Sequence, residues 1–381
     1  MQRKILFVDH TGVMGGAELS LLDLATAHRE TSKVLLFQDG PFYDRLTDAG
    51  VKARIARAES EVLELKASAG LDALKSIPGI WNLAGAIAEE AKGYDLVVAN
   101  SQKAFIAAAV ARLRNSPPLV WHLRDILTAR HFSPINRKVA VLLANSFAHR
   151  VIVNSEATGK AFVAAGGKPK LVKVVYNGFE SAKFDGVTES ETTRIRADLG
   201  VGDNPLVGLF SRLSYWKGQH VLLEAIAKVP QAHAVFVGDA LFGEQEYVAR
   251  LQELVRTLKI EDRVHWLGFR QDIPQLMKAC DIIAHTSTEP EPFGRVIVEG
   301  QLAQKPVIAS GAGGALELIE PGVTGYLFPL EEAEVLSDRI SSLLKEPELA
   351  MKIALQGYHH AKNNFALETI VESFDEAIAD I

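Results

Sequence analysis

Leu206-Val-Gly-Leu-Phe-Ser-Arg-Leu-Ser-Tyr-Trp-Lys-Gly218 decides how the chain divides. The apolar run from Leu206 to Phe210 stops at a polar loop, and a helix is expected from about Gln219. A buried strand followed at once by a helix is half of a strand–helix–strand unit. Here it opens a series: Leu206–Ser211, Ala234–Val237, Val264–Leu267, Ile282–His285, Pro306–Ala309 and Tyr326–Phe328. A matching series precedes it: Lys4–Asp9, Lys33–Gln38, Tyr94–Ala99, Pro118–Leu123, Val151–Asn154 and Val172–Val175. So many strands in one sheet would be unusual, so the pattern predicts an α/β chain of two Rossmann-like domains with parallel sheets. A length of 381 residues suits two cores.

The polar segment Gly178–Arg194 has no sustained apolar period and reads as a linker. The expected division is residues 1–180, a linker at 181–195, a second domain at 196–360, and a C-terminal helix at 361–381 that can pack back on the first domain.

Charged residues make up 23% and apolar residues 48%, as in ordinary soluble proteins. A formal net charge of -6 argues against general nucleic-acid binding. The only cysteine, Cys280, precedes the apolar run Ile282–Ala284 and reads as a buried core thiol in a reducing cytoplasm. The apolar run Ile5–Val8 is too short for a signal-peptide core, and no stretch approaches the length of a membrane span.

Ligands of open parallel sheets sit beyond the carboxyl ends of the strands, so the loops there are the candidate site. Arg212 and Lys217 leave such an end together; an Arg can clamp a phosphate bidentately and a Lys adds a point charge. Gly15-Gly16 follows the first strand, where a bare backbone can approach a ligand at a helix start. Trp121-His122-Leu-Arg124-Asp125 ends another strand; His122 could bond a ligand hydroxyl or be a satisfied structural histidine. Ser310-Gly-Ala-Gly313-Gly314 offers successive amides, either an anion nest or a plain turn. Arg270 could pack on a planar base or cap a helix. In Glu291-Pro-Phe-Gly-Arg-Val-Ile-Val-Glu299, eight helical steps would leave the carboxylates roughly 80° and about 12 Å apart. Pro292 and Gly294 instead suggest a turn, with Glu291 in a loop and Glu299 in the second turn of a helix starting near Gly294. There is no Asp-x-Asp, no zinc spacing and no Gly-x-Ser-x-Gly elbow, so a bound diphosphate would be neutralised by Arg, Lys and helix dipoles.

In order and spacing these motifs, with Val175-Tyr-Asn177-Gly178 and Gly15-Gly16-Ala-Glu18, resemble the retaining glycosyltransferases of family 4 over nearly the whole chain. That resemblance implies the GT-B fold, with two Rossmann-like domains facing across a central cleft. It implies a nucleotide-sugar donor, a glycan or lipid-linked acceptor, and neither metal nor cofactor. Glu289 also precedes a proline, but eight residues on stands Ile297, so Glu291 is the first motif carboxylate. On this resemblance Arg212 and Lys217 hold the diphosphate, Glu291 the sugar hydroxyls and Glu299 the ribose. His122 stands near the transferred sugar and Arg270 near the base. Gly15, Gly16, Phe293, Gly294, Arg295, Gly313 and Gly314 line the donor side; Arg124, Asp125 and Asn177 are acceptor-side candidates. A UDP-sugar is the favoured donor. The alternatives are a GT-B nucleotide-sugar epimerase and an inactive sugar-nucleotide-binding protein.

Between Gln102 and Arg150 stand Lys103, Arg112, Arg114, Arg124, Arg130, Arg137, Lys138 and Arg150 against the single acid Asp125. One reading is peripheral contact with an anionic membrane; the other is a packing helix with a solvated basic edge.

Overall fold

The computed structural model describes residues 3–56, 77–128, 133–240 and 243–381. They form two units, Met1–Gly178 with Leu367–Ile381, and Phe179–Ala366.

In the first unit the strands are β1 (Ile5–Asp9), β2 (Ser32–Leu36), β3 (Lys52–Ile55), β4 (Leu96–Ala99), β5 (Leu119–Leu123), β6 (Ala148–Val153) and β7 (Val172–Val174). They form one sheet in the order β3-β2-β1-β4-β5-β6-β7, and every pairing is parallel. Alternate residues feed two cores. Leu6, Val8, Val97, Leu119 and Trp121 lie in one; Ile5, Phe7, Val98, Val120 and Ile152 lie in the other. Ile370, Phe374 and Ile378 of the helix Leu367–Ile378 complete the second core.

In the second unit, β8 (Leu206–Phe210), β9 (His233–Val237), β10 (Val264–Trp266), β11 (Ile282–His285), β12 (Val307–Ser310) and β13 (Tyr326–Phe328) form a parallel sheet in the order β10-β9-β8-β11-β12-β13. In both sheets the order reverses beside the first strand, between β1 and β4 and between β8 and β11. Loops part to opposite faces at such a point and leave room for a ligand.

Three expectations need correction. Edge strand β3 was missed because Lys-Ala-Arg-Ile is short and only half buried. The supposed linker at 181–195 is helical, with Ala182–Asp185 and Glu189–Asp198 both in the second unit. A capping box starts the latter: Glu191 N–H donates to Thr188 Oγ1 (3.4 Å) and Thr188 N–H to Glu191 Oε2 (2.8 Å). Polarity there marks an exposed helix. The C-terminal stretch 361–381 is likewise no single helix. Pro347–Asn364 ends in the second unit, and Leu367–Ile378 is a separate helix of the first. Among the described residues no helix is long and apolar enough to cross a membrane.

Candidate functional site

In the second unit the loops after β8 and β11 are laced together. Gly218 has φ +67°, and a Cβ there would meet the Thr286 carbonyl oxygen at 1.9 Å, so only glycine fits. Thr286 Oγ1 donates to the carbonyls of Lys217 and Gly218 at 3.0 and 2.9 Å. Thr288 N–H donates to Trp216 O at 2.8 Å. Gln219 Nε2 donates to Ser211 Oγ and Arg212 O, which fixes the start of the basic loop.

These contacts bring Lys217 onto Glu291. Its Nζ lies 2.9 Å from Oε1 and 2.8 Å from Oε2, and 3.8 Å from the Trp216 ring centroid. The Arg212 guanidinium stands over the same ring at 5.5 Å. Ser287 Oγ donates to Glu291 Oε2 at 2.8 Å, and His285 Nε2 lies 3.3 Å from that oxygen. Burial raises the Glu291 pKa, but Lys217 and His285 outweigh it and hold the carboxyl well below the usual range. Burial lowers the Lys217 pKa; Glu291 opposes that and Arg212 adds to it. The pair is ionised, nearly buried and next to a second cation, which suits exchange of one anionic partner for another.

The remaining donor-side candidates sort differently. Gly294 (φ +97°) caps the helix Arg295–Leu302, with Glu299 in its second turn as expected. Arg295 Nε lies 3.4 Å from Glu299 Oε1, and its guanidinium covers the Phe179 ring at 4.4 Å. Phe293 is not placed to line a ligand. It is 2% exposed and packs on Phe179 and Phe365, because the residue after Pro292 turns into the core. The amide nest needs a similar correction. Gly314 N–H donates to Glu291 O at 2.7 Å, Gly311 N–H to Phe328 O and Ala312 N–H to Ser310 O. A Cβ on Gly313 would meet Glu291 O at 2.3 Å, so the two glycines let this loop pack on the Glu291 backbone. Arg270 lies beyond β10, forked onto Asp272 at 2.8 and 2.5 Å.

At the switch point of the first unit a polar chain is assembled. Asn100 Nδ2 donates to Asp9 Oδ2 at 2.6 Å, Arg124 Nε to Asn100 Oδ1 at 2.6 Å and Arg124 Nη1 to Asn177 Oδ1 at 2.7 Å. Arg124 and Asn177 therefore meet, whereas Asp125 is exposed. His10 Nδ1 lies 3.1 Å from Asp9 Oδ1 and 2.9 Å from Ser101 Oγ. Gly15 precedes the helix Gly16–Ala27, and a Cβ on it would meet Glu18 Oε2 at 2.7 Å. The space above Gly15 thus belongs to the Glu18 carboxyl. Burial and the Asp9 charge raise the Glu18 pKa to about 8.

His122 is the clearest correction. It shares the strand face of Val120, its ring lies 6.2 Å from that of Phe374, and it is 2% exposed. Burial, helped by Arg124, pushes its pKa well down, so it is a neutral core histidine. Arg124, two residues on and therefore on the same face, lies with Nη2 3.3 Å from His122 Nδ1, so His122 stands behind the polar chain that Arg124 joins.

Sequence reasoning missed Asp9, Asn100, His285 and Ser287 as site groups. All lie at or just past strand ends, the one signal that could have selected them.

With this geometry in hand, comparisons with known proteins place the chain. Residues 191–360 match the family of glycosyl transferases group 1, and residues 15–178 match the glycosyl transferase 4-like domain. A crystal structure of Anabaena HepE in complex with UDP-glucose is 44% identical and covers 100% of both chains, with a TM-score of 0.92. Spore coat protein SA of Bacillus subtilis is 31% identical over 215 residues, 53% of this chain and 56% of that one. The putative glycosyltransferase EpsD of the same organism is 27% identical over 59% of each. The matches thus span little more than half the length of these curated relatives. Two parallel-sheet Rossmann-like units, the basic loop after β8 and the Glu291–Glu299 motif agree with both matches: the chain belongs to the family 4 type glycosyltransferases of GT-B fold.

Proposed function

We propose that this chain moves a sugar from a nucleoside-diphosphate donor, a UDP-sugar before others, to a hydroxyl of a glycan or lipid-linked acceptor, with retention and without a metal ion. The observation that carries the reading is the buried Lys217–Glu291 pair at the β8/β11 switch point, with Arg212 beside it. Sugar transfer breaks the anomeric C–O bond and leaves negative charge on the diphosphate. Lys217 and Arg212 are fixed cations for that charge, and removing such a group typically lowers the rate about 10²–10³-fold. Glu291 accepts from the sugar hydroxyls and Glu299 from the ribose. The departing phosphate oxygen takes the acceptor proton, and the new bond forms on the face the leaving group quits. Support for UDP comes from HepE, whose crystal structure holds UDP-glucose.

A melting screen with UDP-, GDP- and ADP-glucose tests the donor. A ligand at 100 times its Kd adds about 2.7 kcal/mol of stability. UDP-glucose should raise the melting temperature most, and no shift with any nucleotide sugar at millimolar concentration would overturn the reading. Conversion of the donor sugar without acceptor would favour the epimerase.

The acceptor side is read as working at the cytoplasmic face of an anionic membrane. The helix Pro134–Phe147 leaves Ile135, Val139 and Leu142 53%, 42% and 66% exposed, at the spacing of one helical stripe and next to Arg137 and Lys138. The protein should float with phosphatidylglycerol-containing vesicles at low salt and not with phosphatidylcholine alone. Equal recovery with both would reject the electrostatic contact.

A further inference from the structure

The donors to Glu291 are divided unevenly between its two oxygens. Lys217 Nζ reaches both, at 2.9 Å from Oε1 and 2.8 Å from Oε2. Ser287 Oγ donates to Oε2 at 2.8 Å, and His285 Nε2 lies 3.3 Å from Oε2 and 3.2 Å from Ser287 Oγ, so it holds both the carboxylate and the serine that donates to it. Oε2 thus faces the lysine, the serine and the imidazole, while Oε1 faces the lysine and keeps acceptor capacity.

His285 ends β11 and is 4% exposed. Its Nδ1 lies 3.3 Å from Oγ of Ser310, the last residue of β12. An ionised carboxylate only accepts, so Nε2 carries a proton towards Glu291 while Nδ1 faces the Ser310 hydroxyl. A polar path thus runs from Ser310 through His285 to Glu291. Both flanking residues stand on parallel strands inside the sheet, so their positions are set by the ladder.

We propose that His285 is a positioning residue for recognition of the donor sugar: it and Ser287 pin Oε2 of Glu291, so that Oε1 is kept for a sugar hydroxyl. The inference rests on the reading of Glu291 as the sugar contact. Without His285 the last torsion of Glu291, which is intrinsically broad, is held by fewer bonds. The carboxylate can then turn its open oxygen away while the lysine pair survives. A nucleoside diphosphate without a sugar does not need Oε1, so the loss falls on the sugar and spares the nucleotide.

Calorimetric titration of the full chain with UDP and with UDP-glucose separates these effects. His285→Leu should weaken UDP-glucose about tenfold and leave UDP within about twofold. His285→Gln, whose amide can donate towards Oε2, should recover most of the loss. Ser310→Ala should weaken UDP-glucose in the same sense, by about threefold, and decides the matter if His285→Leu melts below the working temperature. Equal loss for both ligands, or no loss for either, would overturn the inference and leave the donor reading standing. Wild-type protein that binds neither ligand would overturn both.

Discussion

Glu18 and Glu291 are the same residue type in matching places, each on a loop or first helical turn beside a switch point, each less than 10% exposed. Their carboxyls behave in opposite ways. Glu18 is pushed up to about 8 by burial and the nearby Asp9 charge; Glu291 is raised by burial but pulled well below the usual range by Lys217 and His285. The difference lies in where the local cation spends its bonds. Lys217 gives its ammonium to Glu291, whereas Arg124 donates to Asn100 and Asn177. Burial alone makes an acid hold its proton; a cation within hydrogen-bonding distance, as at Glu291, reverses that.

Lys217→Ala breaks the contrast most strongly. It leaves a buried carboxylate without its main partner, so transfer should fall about 10²–10³-fold and stability by about 3–5 kcal/mol. The double change Lys217→Met with Glu291→Gln should regain much of the stability and none of the rate. A purified Lys217→Ala protein with near-normal turnover would remove Lys217 from the chemistry.

Glu18→Gln should have the next largest effect. Because the folded pKa is raised, Glu18 contributes stability that is present below about pH 4.3 and lost as pH rises towards 8. Wild-type melting should therefore decline across that window by on the order of a few kcal/mol more than the Gln variant. Parallel pH profiles of the two proteins would show that Glu18 titrates normally.

Gly15→Ala should have the smallest effect. Gly15 has an extended backbone that alanine adopts freely, and the added methyl meets only the far end of the Glu18 side chain. Stability should change by less than about 1 kcal/mol. The Glu18 carboxyl, displaced towards water, should titrate below 8 in a carbon-13 NMR experiment. An unchanged titration would mean that the space above Gly15 does not set its environment.

Much of this was legible in the chain. The apolar runs placed every strand but β3, whose four residues alternate too briefly to stand out. The Gly294 turn and the second-turn place of Glu299 followed from local backbone preferences. The errors share a cause. His122 and Phe293 sit in motifs, yet a motif does not say which way a side chain points once a strand alternates or a loop enters the core. Gly313 and Gly314 looked like a place for an anion because sequence cannot show that the Gly314 amide is already donating to Glu291. The polar stretch at 181–195 looked like a linker because polarity marks exposure, and an exposed helix is exposed too.

By itself the sequence determined the alternation of strands and helices, the two parallel sheets and the loops on which chemistry would sit. Those follow from periodicity, turn residues and caps, which act over a few neighbours. Only the tertiary structure decided that Lys217 meets Glu291, that Arg124 meets Asn100 and Asn177, and that His285 stands behind the Glu291 carboxylate. Those pairs lie between 6 and 74 positions apart or on separate strands, and their charge states depend on burial and on partners that local sequence does not contain.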